Sequence, residues 1–287
     1  MLGVTRFLLF TLYAPLASWG EIAVGESRGS WDRPSRSAVL GLLAAGLGIT
    51  RDEQERHDAL DAGYGVAVRL DAPGAALVDY HTAQTVAASA VKKHRPATRR
   101  ALLAAGAPET ILSRRAYRQD AVATVAVWTR RPEPGRPAPR WTLDALAESL
   151  RRPAFTLYAG RKANAFGLPL GPRTHDAATL ADALAWYAGS RGMADDAPVP
   201  ARAAVGGVTS RLRPRAGWGR DVAFDDPRED VVPGFPTDRR DVRRDAAAQR
   251  ARWQFAERVV HSGTLPAAAL ATAPAGTGGA GGAGGPA

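Results

Sequence analysis

Between Ala38 and Ile49 the chain runs AVLGLLAAGLGI, twelve residues without one polar side chain, and any fold must bury them. They are too few to cross a bilayer, which takes about 20. Leu40, Leu43 and Leu47 recur at helical spacing, while Gly41, Ala45 and Gly48 form a second stripe of very small residues. Glycine costs a helix roughly 1 kcal/mol relative to alanine, so a helix over 36–48 carrying several is expected to press closely against a sheet. Ahead of it, Pro34 sets the backbone and Ser35 or Ser37 can cap the first turn, in which Arg36 stands. A cation there opposes the helix dipole, whereas a bound anion is favoured by the dipole, the free N–H groups and the guanidinium together. The start of the helix therefore reads as a phosphate seat. The plainer alternative is a capped core helix with a solvated Arg36.

Around this helix the expected order is strand, helix, strand, insertion, strand, helix, strand. Residues 4–12 alternate Phe7, Leu9 and Thr11 with Leu8, Phe10 and Leu12 in a run ended by Pro15, which fits a buried central strand at least as well as a signal peptide, and the strand is the reading taken. A short polar helix is expected over 51–61. Val66, Val68 and Leu70 alternate with Ala67 and Arg69 as a half-buried strand closed by the turn Asp71-Ala72-Pro73-Gly74. Residues 122–128 make a further strand, 132–139 a proline-rich linker, 142–151 a helix with Leu143, Leu146 and Leu150 inward, and 155–158 a last short strand. This βαββαβ order belongs to an α+β, ferredoxin-like or RRM-like sheet.

The formal net charge is +10 and the pI about 10.7, which favours a polyanionic partner. Arginine makes up 35 of the 38 basic residues and suits bidentate contact with phosphate. From Lys92 to Arg131 there are ten basic residues against Glu109 and Asp120, so most of the excess charge sits in or beside an insertion over 76–118. Charge runs are usually solvated surface. Here Tyr80, His81 and Tyr117 flank the run, and aromatics interleaved with cations suit stacking on unpaired bases. There is no cysteine, no metal-ligand spacing among the five histidines and no nucleotide-binding glycine loop, so neither a metal nor another cofactor is expected. A cytoplasmic protein with no membrane partner is expected.

Beyond 158, Gly160 precedes Arg161 and Lys162, where exposed N–H groups suit phosphate; a tight structural turn is the alternative. A helix is expected over 176–188 with Leu180, Leu184 and Tyr187 on one face, a loop over 189–200, a strand over 199–208 and a closing strand through Trp253, Phe255 and Val259. From 211 to 258 twelve arginines meet nine acids, so much of that charge is expected to pair internally. The Ala/Gly-rich tail over 264–287 has nothing with which to build a core.

The segments YAPLASWG, PSRSAVLGLLAAGLGI, LVDYHTAQT and FTLYAGRKAN with its following LPLG stand in an order that resembles the CasD family of type I-E CRISPR Cascade subunits, within the RAMP superfamily of RRM-like RNA-binding proteins. The likeness covers roughly 4–170, with an echo in VAFDDPRE. It implies a non-catalytic palm over 1–160 with a β-hairpin thumb inserted at 76–118, followed by a β-containing region over 161–263. It implies a subunit that holds the 5′ handle of the crRNA, abuts the backbone subunit CasC and the large subunit CasA, and meets target DNA through the assembled complex. The candidate RNA-contacting residues are Trp19 of the first segment, Ser35, Arg36 and Ser37 at the helix start, and Tyr80 and His81 at the thumb. Lys92, Lys93, Arg114 and Arg115 within the insertion, and the loop Gly160, Arg161 and Lys162, complete the set. No catalytic residue is expected. The alternative is a metal-independent endoribonuclease using Lys93 and His94, with Tyr13 or Tyr80 assisting, since such cleavage needs a general base and a cation beside one phosphodiester.

Overall fold

The computed structural model describes residues 3–20, 25–132, 134, 138–190, 220–225, 230–249 and 254–266. The strands are β1 (Thr5–Ala17), β2 (Ser27–Arg28), β3 (Tyr64–Ala72), β4 (Ala75–Val86), β5 (Pro108–Thr129), β6 (Arg173–Ala177), β7 (Asp221–Phe224), β8 (Thr237–Gln249) and β9 (Gln254–Thr264). The helices are α1 (Arg36–Gly46), α2 (Gln54–Gly63), α3 (Ala88–His94), α4 (Arg99–Ala104), α5 (Leu143–Arg151) and α6 (Leu180–Ser190). One large sheet runs β6-β1-β5-β3-β7-β9-β8, with β2 and β4 paired to β5 off that path. Every pairing is antiparallel except β2 with β5.

Alternation along β1 divides the interior into two cores. Leu8, Phe10 and Leu12 meet Leu40 and Leu43 of α1 and Leu143, Leu146 and Leu150 of α5, while Phe7 and Leu9 meet Leu180, Leu184 and Tyr187 of α6 with Trp128 and Phe224. Because α6 covers the second face, β3 is buried on both sides rather than half-buried. Arg69 is thereby enclosed, and its guanidinium donates to Asp71 at 2.7 Å, to the Leu184 carbonyl at 3.1 Å and to Thr124 at 3.2 Å.

Several expectations are corrected. Helix α1 turns its leucines to the sheet, but the small-residue side takes α5 and the chain behind it: a Cβ on Gly46 would lie 2.8 Å from the Ser149 carbonyl oxygen. The N–H groups of Ala154 and Phe155 donate to the carbonyls of Gly46 and Ala45. Residues 155–158 form no strand: Phe155 is tied to the end of α1 and Tyr158 bridges only to Ala165, while β6 pairs with β1 instead. The sheet thus continues past the boundary expected near residue 160. Strand β1 does not stop at Pro15: Pro15 falls opposite Asp120, which has a φ of 54° and interrupts the β1–β5 register, so the missing N–H costs no ladder bond. Helix α6 starts at Leu180, with Thr179 accepting from the Asp182 N–H, and Asp176 belongs to β6. Thr264 and Leu265, expected in the tail, belong to the fold instead, since Thr264 ends β9 and Leu265 is buried. The loop expected from 189 starts no earlier than 191, because α6 runs to Ser190; the rest of that loop, the strand expected over 199–208 and Trp253 lie outside the described residues. Among the described residues no helix is long and apolar enough to cross a membrane.

Candidate nucleic-acid interface

The turn expected at Asp71–Gly74 is a bend, because β3 and β4 pair in succession with the same strand. β3 pairs with the C-terminal half of β5, from Tyr64↔Thr129 to Ala72↔Val122, and β4 with its N-terminal half, from Ala75↔Gln119 to Val86↔Pro108. The inserted segment is therefore continuous with the sheet through β5, and it extends as a two-stranded ribbon tipped by α3 and α4. Gly74 has a φ of 64°, and a Cβ there would lie 2.2 Å from the Gln119 carbonyl oxygen, so the bend requires glycine.

Period-two alternation gives the ribbon two faces with different surroundings. Val78, Tyr80 and Thr82 of β4 share one face with Arg118, Ala116, Arg114 and Leu112 of β5; Leu77, Asp79 and His81 share the other with Tyr117, Arg115 and Ser113. The second face is the more covered at its root. There the Arg161 guanidinium sits 4.3 Å from the Tyr117 ring centroid, and Arg115 bonds Ser113. The first face is open: Val78 and Tyr80 are 64% and 58% exposed, Arg114 is exposed, and Arg118 has no ion pair or hydrogen bond to a described residue.

The candidate residues accordingly separate. Tyr80 and Arg114 stand directly opposite each other on the open face, and Lys92 and Lys93 are exposed in α3 at the tip. His81 and Arg115 point to the other face, where His81 Nδ1 lies 3.8 Å from Asp79. Gly160 has a φ of 82° with room for no Cβ, since one would lie 1.8 Å from the Ser18 carbonyl oxygen. It seats its loop against β1 while Lys162 remains exposed. Of the remaining four, Trp19, Ser35 and Arg36 are buried and Ser37 is half-buried. Trp19 is a core residue, 4% exposed, and its backbone pairs with Trp31. Ser35 caps α1 by accepting from the Ala38 N–H at 3.2 Å, and its hydroxyl is 3.0 Å from that of Ser37.

Arg36 overturns the phosphate seat expected at the start of α1, because its side chain is buried and committed. It donates to the carbonyls of Asp61 and Tyr64 and lies 3.3 Å from Asp225 Oδ2. Asp225, itself 4% exposed, also takes Arg130 at 3.1 Å, Arg258 at 2.8 Å and the Val66 N–H at 2.9 Å. A guanidinium so engaged ties α1 and β3 to the β7–β9 region and offers nothing to solvent.

Tyr13, at the foot of the ribbon, donates to Asp120 at 3.0 Å; burial and then that carboxylate push its phenol above the ordinary range. His94 is at the opposite end of a twelve-residue ladder, about 40 Å away. Tyr13 and the Lys93–His94 pair therefore do not form one centre. Sequence reasoning missed Arg118 and Trp31. Arg118 was within reach, being two steps of alternation from Arg114, whereas Trp31 meets Arg243 of β8 at 4.4 Å across more than 200 residues of chain.

Residues 7–261 match the family model described as CRISPR-associated protein (Cas_Cas5). A curated relative, the CRISPR system Cascade subunit CasD of Escherichia coli (strain K12), is 30% identical over 191 residues, covering 63% of this chain and 76% of the relative. Among solved structures, a chain of a CRISPR RNA-guided surveillance complex superposes with a TM-score of 0.53 at 22% identity, over 91% of this chain and 92% of that one, a likeness of fold.

Proposed function

The chain belongs to the CRISPR-associated protein (Cas_Cas5) family, and on that premise we propose that it is a non-catalytic guide-RNA-binding subunit of a type I-E CRISPR interference complex. In this reading the ferredoxin-like part of the sheet is the palm and the β4–β5 ribbon is the thumb. The subunit holds the 5′ handle of the crRNA in the cytoplasm, contacts the backbone subunit CasC and the large subunit CasA, and reaches target DNA through the assembly. The observation that carries the reading is the open ribbon face, where Tyr80 stands opposite Arg114 and Arg118 follows two steps of alternation along β5, neither arginine hydrogen-bonded to a carboxylate among the described residues. An aromatic ring among cations stacks an unpaired base while neutralising its phosphates.

Filter binding of handle-bearing RNA over a salt series tests it. Each neutralised phosphate releases counterions, so log affinity falls against log salt with a slope of about −0.7 per contact on a single strand. The unaltered protein should give a steep slope, made shallower by about one contact in Arg114→Ala, with affinity also lost in Tyr80→Ala. A flat salt response would end the electrostatic reading. Metal-independent cutting of labelled repeat RNA that disappears in His94→Ala would favour the endoribonuclease alternative instead.

A further inference from the structure

Where the open ribbon face meets the sheet, the segment 30–33, Arg118 and strand β8 enclose a groove of about 450 Å³, which is the size of small-ligand sites in general. Four arginines line it, Arg33, Arg118, Arg239 and Arg243, against Asp32 and Asp241. Asp241 is taken by Arg239 at 2.8 Å, and Asp32 by Arg33 at 3.0 Å. That leaves Arg118 and Arg243 attracted by Asp32 but with no hydrogen bond or ion-pair contact to a carboxylate among the described residues. Arg33 is 4% exposed, and although it also pairs with Asp221 at 2.6 Å, its Nη1 is buried without a hydrogen-bond partner. Burial and the neighbouring Arg33 charge together hold Arg243 below the usual arginine range, the condition an incoming anion relieves.

The groove also has an aromatic wall. Trp31 is held by its N–H bond to the Trp19 carbonyl at 2.8 Å, with the Arg243 guanidinium 4.4 Å from its ring, yet it remains 37% exposed. We propose that this groove seats one unpaired nucleotide of the bound RNA, the base stacked on the Trp31–Arg243 pair and the phosphate held by Arg118 and Arg243. Arg118 shares its ribbon face with Arg114 and Tyr80, so the strand runs without interruption from groove to ribbon. The inference rests on the RNA-binding reading above and adds a second base-stacking position, built partly from β8.

The test measures dissociation constants of the full chain for a handle-bearing single-stranded RNA. It compares Trp31→Ala, Trp31→Phe and Arg118→Ala with Tyr80→Ala as the ribbon reference, and records the melting temperature of each. Loss of one stacked base predicts about tenfold weaker binding in Trp31→Ala, with most affinity kept in Trp31→Phe. Arg118→Ala should make the salt dependence shallower by about one phosphate contact. If Trp31→Ala binds as the unaltered protein does while Tyr80→Ala is weakened, the groove proposal is overturned and the RNA-binding function stands. Equal losses in Trp31→Ala and Trp31→Phe with lowered melting temperatures would make Trp31 structural and also overturn it. Failure of the unaltered chain to bind RNA would overturn both.

Discussion

Arg36 shows how a single side chain changes meaning between sequence and structure. As the first residue of a capped helix it looked like an anion receptor, yet it lies beneath the surface among Asp225, Asp61 and two carbonyls. Nothing local announces this, because the decisive partner, Asp225, is nearly 190 residues away. Removing one member of a buried charge network leaves the others unpaired, which typically costs about 3–5 kcal/mol. Arg36→Ala is therefore expected to lower the urea midpoint strongly, and any loss of RNA binding should follow the unfolded fraction. A variant with an unchanged midpoint and weaker RNA binding would restore the surface role. Ser35, by contrast, was readable as a cap, since capping depends only on the neighbouring backbone.

The same division holds for the strands and helices. Helices α1 and α5, with caps at Ser35 and Thr142 and leucines on one stripe, were legible because each signal lies within a few residues. Strand β1 was legible as a central strand, but its passage through Pro15 was not, since that depends on Asp120 of the partner strand interrupting the ladder. The segment 155–158 was misjudged because its first N–H bonds the end of α1 and Tyr158 pairs with Ala165 in its own loop. The ribbon was visible as a charged insertion, but which side of it is open depends on the Gly160–Arg161 loop docking on Tyr117. Of the ribbon's two tip helices, α4 has no buried residue and α3 has none among its described side chains, so neither contributes to the cores. Replacing the segment between Ala87 and Ala107 with an Asn-Gly turn removes no residue of either core but uncovers Val86, buried where β4 ends, so stability should fall by no more than about 1.5–3 kcal/mol. The replacement should weaken RNA binding through the loss of Lys92 and Lys93. A collapse of the melting transition would show that the tip is structural.

The molecule as a whole joins a ribbon-bearing αβ core to the β7–β9 region through β3–β7 pairing and the arginines around Asp225. That junction places β8 beside Trp31 and so brings an arginine-rich segment, partly neutralised by its own acids, to the root of the ribbon. The net charge pointed towards a polyanion, but only the folded arrangement separates cations consumed by pairing, such as Arg258 and Arg36, from those left open, such as Arg114 and Arg118. The central claim is that the open ones hold the 5′ handle of a guide RNA. It is tested most directly by co-expressing the chain with the other Cascade subunits and a repeat array, photo-crosslinking the purified complex and mapping the joined peptides and nucleotides. We predict crosslinks from the handle to peptides containing Tyr80 and Arg114. A purified complex in which this subunit crosslinks no handle nucleotide, or only guide nucleotides outside the handle, would contradict the claim.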